Sequence, residues 1–541
     1  MPFRHVMGKN NDFRNLRFLH YILLSTLGIV VALGVSVFQN TPGYMDADYY
    51  YSGGVRLAGG YGFSDEVIWN YLDDPDGLPH PSHGYWMPLV SMLASGGMSL
   101  AGRVDFDAAQ LPFLLLSALL PPMTVALALS IGMSREQAFM SGILAVFGGF
   151  YVSYLPTTDS FGLYMLFGSS FFILLGEPWR NKTTIRARIA DLLIGILAGL
   201  MHLTRADGLF WLAVGLLYIT LVWIKSRAWK YMLISYGLCV AGYLLVMGPW
   251  MARNLYAFGV LLSPAGSQVL WFTEYNDLFY YPADQITSTF FWNHGLSNIL
   301  RDRLWALGLN LQTAVVVQGE ILLAPLIVLG IWQLRNDRRI RIGVFAWLTT
   351  FGIMTLVFPF AGARGGFFHS GAALQPLWWS LAPLGLDSIV SWGARVRGWK
   401  HGQAQRVFRF GVIVLVVILS IFLVVTRVIG PDLSHPTWGV NNERYLHLER
   451  ALVRFGAAPD DRVIVNNAPG YYVANQRSAL SIPNGDVETV LAVADRYRAR
   501  YLLLEFNQLK GDDDLFANPG DRAGFKYLGT IDEVRIYEIQ K

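Results

Sequence analysis

The run FLHYILLSTLGIVVALGVSVF, residues 18 to 38, and the segment Tyr44-Met-Asp-Ala-Asp-Tyr-Tyr-Tyr that follows it, residues 44 to 51, decide how the whole chain is read. About twenty consecutive apolar residues match the thickness of a bilayer's hydrocarbon core. Asp46 and Asp48 stand just past its end, so titratable carboxylates lie at a membrane surface. Basic residues precede the run, but no small-residue cleavage site follows it, so it reads as a retained span rather than a cleaved signal.

Composition extends this reading to the rest of the chain. Of the 541 residues 53% are hydrophobic and 15% charged, with a mean hydropathy of +0.38, which excludes a soluble protein. The lone Cys239 lies within an apolar run, so the chain has neither an internal disulfide nor a cysteine metal site. Nucleic-acid motifs, internal repeats and low-complexity tracts are absent.

Further apolar runs lie near residues 110–131, 137–155, 160–176, 189–203, 208–224, 231–250, 309–333, 342–360, 370–391 and 408–427, giving about 11 transmembrane helices with the first. A cytoplasmic N-terminus puts the basic clusters Arg4/Lys9/Arg14/Arg17, Arg135, Arg180/Lys182/Arg186/Arg188, Lys225/Arg227/Lys230, Arg335/Arg338/Arg339/Arg341 and Arg395/Arg397/Lys400/Arg406/Arg409 inside. The much longer outer loops up to residue 369 carry only Arg56, Arg103, Arg205, Arg253, Arg301, Arg303 and Arg364, as the positive-inside rule requires. Counting the glycine- and serine-rich stretch 86–102 as a span would reverse that asymmetry, so it is assigned to the outer interface. The expected product is a multi-pass protein of the cell membrane: a membrane domain over 1–427 with a first outer loop at 39–109, and an extracytoplasmic α/β domain over 428–541. In that tail, 462–465 and 501–506 read as strands, 487–500 as a helix and 527–539 as a hairpin, after a linker with Pro431 and Pro436.

The first outer loop is far longer than a helix connection needs. It holds Asp46, Asp48, Tyr50, Arg56, the acidic Asp73/Asp74/Asp76 and His83, with a short helix expected over Tyr49–Ala58 and Asp48 at its N-cap. Asp159 is expected at the same membrane level, either as a helix cap or as a second functional carboxylate. Leu203-Thr-Arg205-Ala-Asp207-Gly is an outer turn in which Arg205 and Asp207 either pair or serve a ligand. Arg253 with Asn254, and Arg364 with His369, close two further outer ends. Arginines at interfacial depth either snorkel to headgroups or present paired donors to a lipid-linked phosphate.

In this order and topology the residues resemble the large membrane-embedded glycosyltransferases of the GT-C type, especially bacterial relatives of protein O-mannosyltransferases and of the lipid A aminoarabinose transferase. The resemblance runs from about residue 15 to 390 and is carried by Asp46 and Tyr50, by Gly59-Gly60-Tyr61-Gly62 and by Asp159. It continues through Leu203-Thr-Arg-Ala-Asp-Gly208 and Pro249-Trp-Met-Ala-Arg-Asn254 with Phe258-Gly259. The glutamate of the family's Asp-Glu pair is Ala47 here. The resemblance implies transfer of a sugar, with inversion, from a polyprenyl-phosphate donor to a hydroxyl acceptor on a glycan, lipid or protein. By that reading Asp46 or Asp48 is the base, Asp159 an orienting carboxylate, and Arg253, Arg364, Arg56 and Arg205 the phosphate clamp. Tyr50, His83, Asp207, Asn254 and His369 would then line the substrate site. No cofactor is required, although Asp46 and Asp159 could hold a divalent metal. The competing class is a polytopic transporter or lipid flippase, for which Asp191, Glu320 and Asp387 are the acidic residues within or beside spans; no inverted repeat is evident.

Overall fold

The computed structural model describes residues 18–176, 184–224, 227–511 and 515–540. Arg4, Lys9, Arg14, Arg17, Arg180, Lys182 and Lys225 of the expected inner clusters lie outside the described residues. After α1 (Phe18–Ser36), the first long loop folds into α2 (Met45–Ala58), the short strands β1 (Ser64–Asp65), β2 (Val67–Ile68) and β3 (His80–Pro81), and α3 (Leu89–Ala101). Next come α4 (Phe106–Ser130), α5 (Arg135–Val146), α6 (Phe161–Leu174), α7 (Ile185–Thr204), α8 (Leu209–Trp223) and α9 (Trp229–Phe258). A second long loop with α10 (Ser288–Asn293) leads to α11 (Leu296–Gln312), α12 (Ala324–Gln333), α13 (Arg338–Gly352), α14 (Pro359–Ala361), α15 (Phe367–Gly371), α16 (Gln375–Arg397) and α17 (His401–Val424).

Among the described residues 7 helices are long and apolar enough to cross a membrane. The remaining expected runs, 137–155, 160–176, 309–333 and 370–391, are also helical but shorter, broken or more polar. The 309–333 run breaks where Glu320 and Ile321 take φ of 45° and 57°. Helix α16 is long, yet it buries Gln375, Ser380 and Asp387. The 86–102 stretch forms α3 with 13 residues, about 20 Å at 1.5 Å per residue and too short to cross.

Exposed leucines, valines and phenylalanines on α1, α9 and α17, such as Leu23, Leu245 and Phe422, have hydrocarbon as their solvent. Without a hydrophobic force between helices, close backbone approach at small residues holds the bundle together. A Cβ on Gly195 of α7 would come within 1.8 Å of the Cys239 carbonyl of α9, and one on Gly385 of α16 within 1.9 Å of the Leu326 carbonyl of α12.

The last quarter comprises α18 (Val440–Arg454), β4 (Arg462–Val465), α19 (Ala468–Asn475), β5 (Ala479–Ser481), α20 (Val487–Tyr497), β6 (Ala499–Leu504), β7 (Phe525–Ile531) and β8 (Val534–Ile539). The expected strands, helix and hairpin are β4, β6, α20 and β7–β8. Their sheet runs in the order β2-β5-β4-β6-β8-β7, parallel from β2 to β6 and antiparallel beyond. Strand alternation divides its two faces: Val463, Val465, Tyr501 and Leu503 pack against α18 and α19, whereas Ile464, Leu480, Leu502 and Leu504 pack against α20. The edge strand β2, which no local pattern predicts, comes from the first long loop, with Val67 and Ile68 paired to Ala479 and Leu480. Beyond the expected linker, Trp438 packs back onto the first loop and donates its indole N–H to the Thr41 carbonyl at 3.0 Å.

Candidate active site

Helix α2 begins earlier than expected. Its N-cap is Tyr44, and Asp46 and Asp48 both lie in its first turn, where carboxylates favour the positive end of the helix dipole. Asp48 is therefore not the cap; its N–H already bonds the Tyr44 carbonyl at 2.8 Å. Asp159 likewise precedes the N-cap of α6, which is Ser160, and accepts from the Ser160 hydroxyl at 2.9 Å and from its N–H.

Asp46, Asp159 and His369 converge, with one ligand atom from each lying within 4.8 Å of the others. His369 Nε2 is 3.2 Å from Asp159 Oδ2 and 3.9 Å from Asp46 Oδ2. The Tyr44 hydroxyl also donates to Asp159 Oδ2. The imidazole stacks on Phe161 with ring centroids 4.2 Å apart, and its Nδ1 reaches the Gly365 carbonyl at 2.9 Å. A carbonyl only accepts, so Nδ1 carries a proton and Nε2 faces the two carboxylates; with a divalent ion between them the Nε2 lone pair would be its ligand, the arrangement that metal-ligating histidines use. Two carboxylates and one imidazole nitrogen form a donor set that a divalent ion fits.

The two carboxyls are pushed apart electrostatically. Burial raises Asp46 to about 6, with Asp159 adding to the rise and His369 and Arg205 opposing it. Burial also acts upward on Asp159, but the His369 charge and hydrogen bonds from His369, Tyr44 and Ser160 hold it below the usual carboxylate range. Asp159 is thus a fixed anion, and Asp46, with 31% of its side chain accessible, is a carboxyl poised near neutrality.

Arg205 pairs with Asp207 through Nε at 2.9 Å, and its charge acts on both Asp46 and Asp159, so it belongs to the same cluster. Tyr50 itself is buried behind the cleft. Arg364 sits at a break in the helix, followed by Gly365 at φ 121°. It is exposed, lies 5.0 Å from the centre of the Tyr275 ring, and makes no ion pair among the described residues. Tyr275 and Tyr85 both feel the charge of Asp46 and pack against one hydrophobic cluster, so the second long loop and the first meet beside the Asp46 carboxyl and together line the cleft there.

Other expected site residues are engaged elsewhere. Arg56 is buried and gives its fork to Glu66 at 3.1 Å and Ser64 at 2.8 Å. Arg253 donates to the Ser82 and Phe63 carbonyls at 2.8 and 3.2 Å between the rings of Trp250 and Phe258, and to Asn254, which is itself buried. His83 is 1% exposed, its ring lies between Ser82 and Ser91, and burial lowers it to about 3, so it is a neutral core residue. Asp48 is buried and accepts from Asn467 Nδ2 at 3.0 Å. Sequence reasoning missed Tyr44, Tyr85 and Tyr275 as site residues; Tyr44 alone had a signal, its place two positions before Asp46.

This helical architecture is the fold of membrane-embedded GT-C glycosyltransferases. The oligosaccharyltransferase of Archaeoglobus fulgidus, in complex with zinc and sulfate, superposes with a TM-score of 0.55 at 13% identity, over 89% of this chain and 67% of that one. ArnT from Cupriavidus metallidurans, bound to undecaprenyl phosphate, superposes with a TM-score of 0.53 at 11% identity, over 96% of this chain and 97% of that one. No protein-family model matches the chain, and no curated protein sequence does.

Proposed function

We propose that the chain is a membrane glycosyltransferase that moves a sugar from a polyprenyl-phosphate donor to a hydroxyl acceptor. The observation that carries this reading is the convergence of Asp46, Asp159 and His369 beside the exposed Arg364. Neighbours of the same fold carry undecaprenyl phosphate in one case and zinc with sulfate in the other, which supports a lipid phosphate and a divalent ion as ligands of such a cleft.

In the proposed reaction Asp46 accepts the proton of the acceptor hydroxyl as its oxygen attacks the anomeric carbon. The bond from that carbon to the phosphate oxygen breaks with its electron pair going to the phosphate, and the sugar inverts. Arg364 presents its fork to the departing phosphate, and Arg205 adds positive potential from behind. Asp159, held by Tyr44 and Ser160, fixes His369. A divalent metal held by Asp46, Asp159 and His369 would neutralise charge on the leaving group. A carboxylate has two oxygens, so with such an ion bound Asp46 would keep one oxygen for the acceptor proton.

The orientation proposed is a cytoplasmic N-terminus with the cleft and the 428–541 region outside, and 1–427 as the catalytic membrane domain. In its support, Arg339 reaches the Ser130 carbonyl and Arg409 joins Asp387 and Glu136, which gathers the cationic turns at one end of the bundle. The test is incubation of the purified protein with radiolabelled polyprenyl-phosphate sugars and membrane extract. Label passing to a glycan, lipid or protein supports the reading, and retention of all label on the donor, for every donor tried, refutes it.

A further inference from the structure

Strands β4 and β5 are parallel neighbours, and the chain leaves them for helices on opposite faces of the sheet: β4 leads to α19 and β5 to α20. In α/β sheets the crevice at the carboxyl ends of such strands is where ligands bind. Here that crevice is filled by the walls of the cleft. Asn467, just past β4, donates to Asp48 Oδ2 at 3.0 Å, two residues along α2 from Asp46. Asn484, just past β5, donates from its side chain to Glu274 Oε1 at 2.9 Å and to Asp277 Oδ1 at 3.4 Å. Its backbone N–H reaches the Phe279 carbonyl at 2.8 Å. One asparagine thus grips the turn Tyr275–Phe279 at three points, and Tyr275 is the ring against Arg364. Both asparagines are buried, at 7% and 6% exposure.

We propose that Asn467 and Asn484 are positioning residues through which the C-terminal sheet sets the two walls of the cleft, Asn467 acting on the acidic wall through α2 and Asn484 on the cationic wall through Tyr275. The sheet uses the edge that would otherwise bind a ligand to hold the transferase site in register. This rests on the glycosyltransferase reading, and the two walls make it separable. Asn467 acts through Asp48 and α2 on Asp46 of the metal-fitting cluster, and Asn484 acts through the turn before Tyr280 and its Tyr275 ring on Arg364. A general loss of fold would not respect that division.

The test is equilibrium binding to the full-length protein in detergent, with Mn²⁺ as the probe for the acidic wall and undecaprenyl phosphate for the cationic one. Asn467→Ala should weaken Mn²⁺ by about threefold to fivefold, less than the ~10-fold or more lost when a partner bonded directly to a metal ligand is removed, because it acts one step further out through Asp48, and should leave the lipid unchanged. Asn484→Ala should weaken the lipid about fivefold and leave Mn²⁺ unchanged. Glu274→Ala, which removes the shorter of the two Asn484 side-chain contacts from the loop side together with the Lys510 ion pair, should weaken the lipid and spare Mn²⁺, while Lys510→Ala should leave both unchanged. The exchange Asp48→Asn with Asn467→Asp reverses donor and acceptor and should restore Mn²⁺ affinity. Wild-type affinities for both probes in both alanine variants would overturn the inference, as would parallel loss of both probes with a falling melting temperature. These measurements need no turnover, so a wild type that binds both probes but transfers no sugar would refute the transferase reading while this inference stands or falls on its own variants.

Discussion

Asp46 and Asp48 stand two positions apart on one helix and face opposite ways, Asp46 toward His369 at 3.9 Å and Asp48 toward Asn467 at 3.0 Å. At 3.6 residues per turn, positions i and i+2 are about 200° apart, so one helix turn cannot direct both at the same ligand. Between the two candidates for the base, this geometry supports the proposal of Asp46, the one that faces His369.

Asp46→Asn should lower turnover by about 10²-fold or more with donor affinity retained, because shape survives and proton acceptance does not. Asp48→Asn should cost only a few-fold, since the asparagine carbonyl still accepts from Asn467. Turnover and donor affinity measured for both variants in one detergent decide it, and a dead Asp48→Asn beside an active Asp46→Asn would reverse the assignment.

His369 is oriented by a carbonyl that depends on Gly365, whose φ of 121° no residue with a Cβ adopts without strain. His369→Ala should remove most Mn²⁺ binding. Gly365→Ala should weaken it too, and also weaken the lipid by moving Arg364, while His369→Ala spares the lipid. Titration of both probes against both variants checks the pattern.

We propose that the expected phosphate clamp divides: Arg364 is exposed, while Arg56 and Arg253 give their donors to the protein itself. Arg364→Ala should cost about 10² to 10³ in rate, the usual loss for one well-placed donor, with Arg364→Lys intermediate. Arg253→Ala should act first on stability, because it strips donors from the Phe63 and Ser82 carbonyls. Melting temperatures beside turnover numbers separate the two, and an unchanged melting temperature with lost turnover in Arg253→Ala would return it to the site.

Asp65 gives a pH-dependent stability. Burial raises its carboxyl to about 6, against the lowering influence of His80, the Tyr49 hydrogen bond and Arg56. A folded value above the unfolded one, about 3.9, means that the folded state binds the proton more tightly. That contribution is complete below about pH 4 and is lost as pH rises through about 6. Asp65→Asn keeps an acceptor for Tyr49 and removes the charge, so its melting temperature should exceed wild type at pH 8 and match it near pH 4. Thermal unfolding across that range tests the sign.

Long apolar runs announced themselves because lipid demands them, and the carboxylates and histidine of the cleft were legible as ionisable groups at run ends. The partners that sort active from structural residues were not. Asn467 lies 419 residues from Asp48, and Tyr49 takes up Asp65 across a fold of the loop, so no local spacing encodes either pairing. Arg56 and Arg253 looked like Arg364 in sequence because type and depth are the same; only Glu66 and the loop carbonyls distinguish them.

The strand that the first loop lends to the distant sheet makes the site a late event in biosynthesis. Val67 and Ile68 leave the ribosome early, but their partners Ala479 and Leu480 emerge only near the end of translation, after every expected span has been made. The Tyr71 hydroxyl waits across 410 residues for the Ser481 carbonyl. Closing so long a loop is slow even though its entropic cost grows only logarithmically with length. A nascent chain therefore passes through membrane insertion before its first loop can make this pairing, and the frame around Asp46 is complete only when its tail arrives.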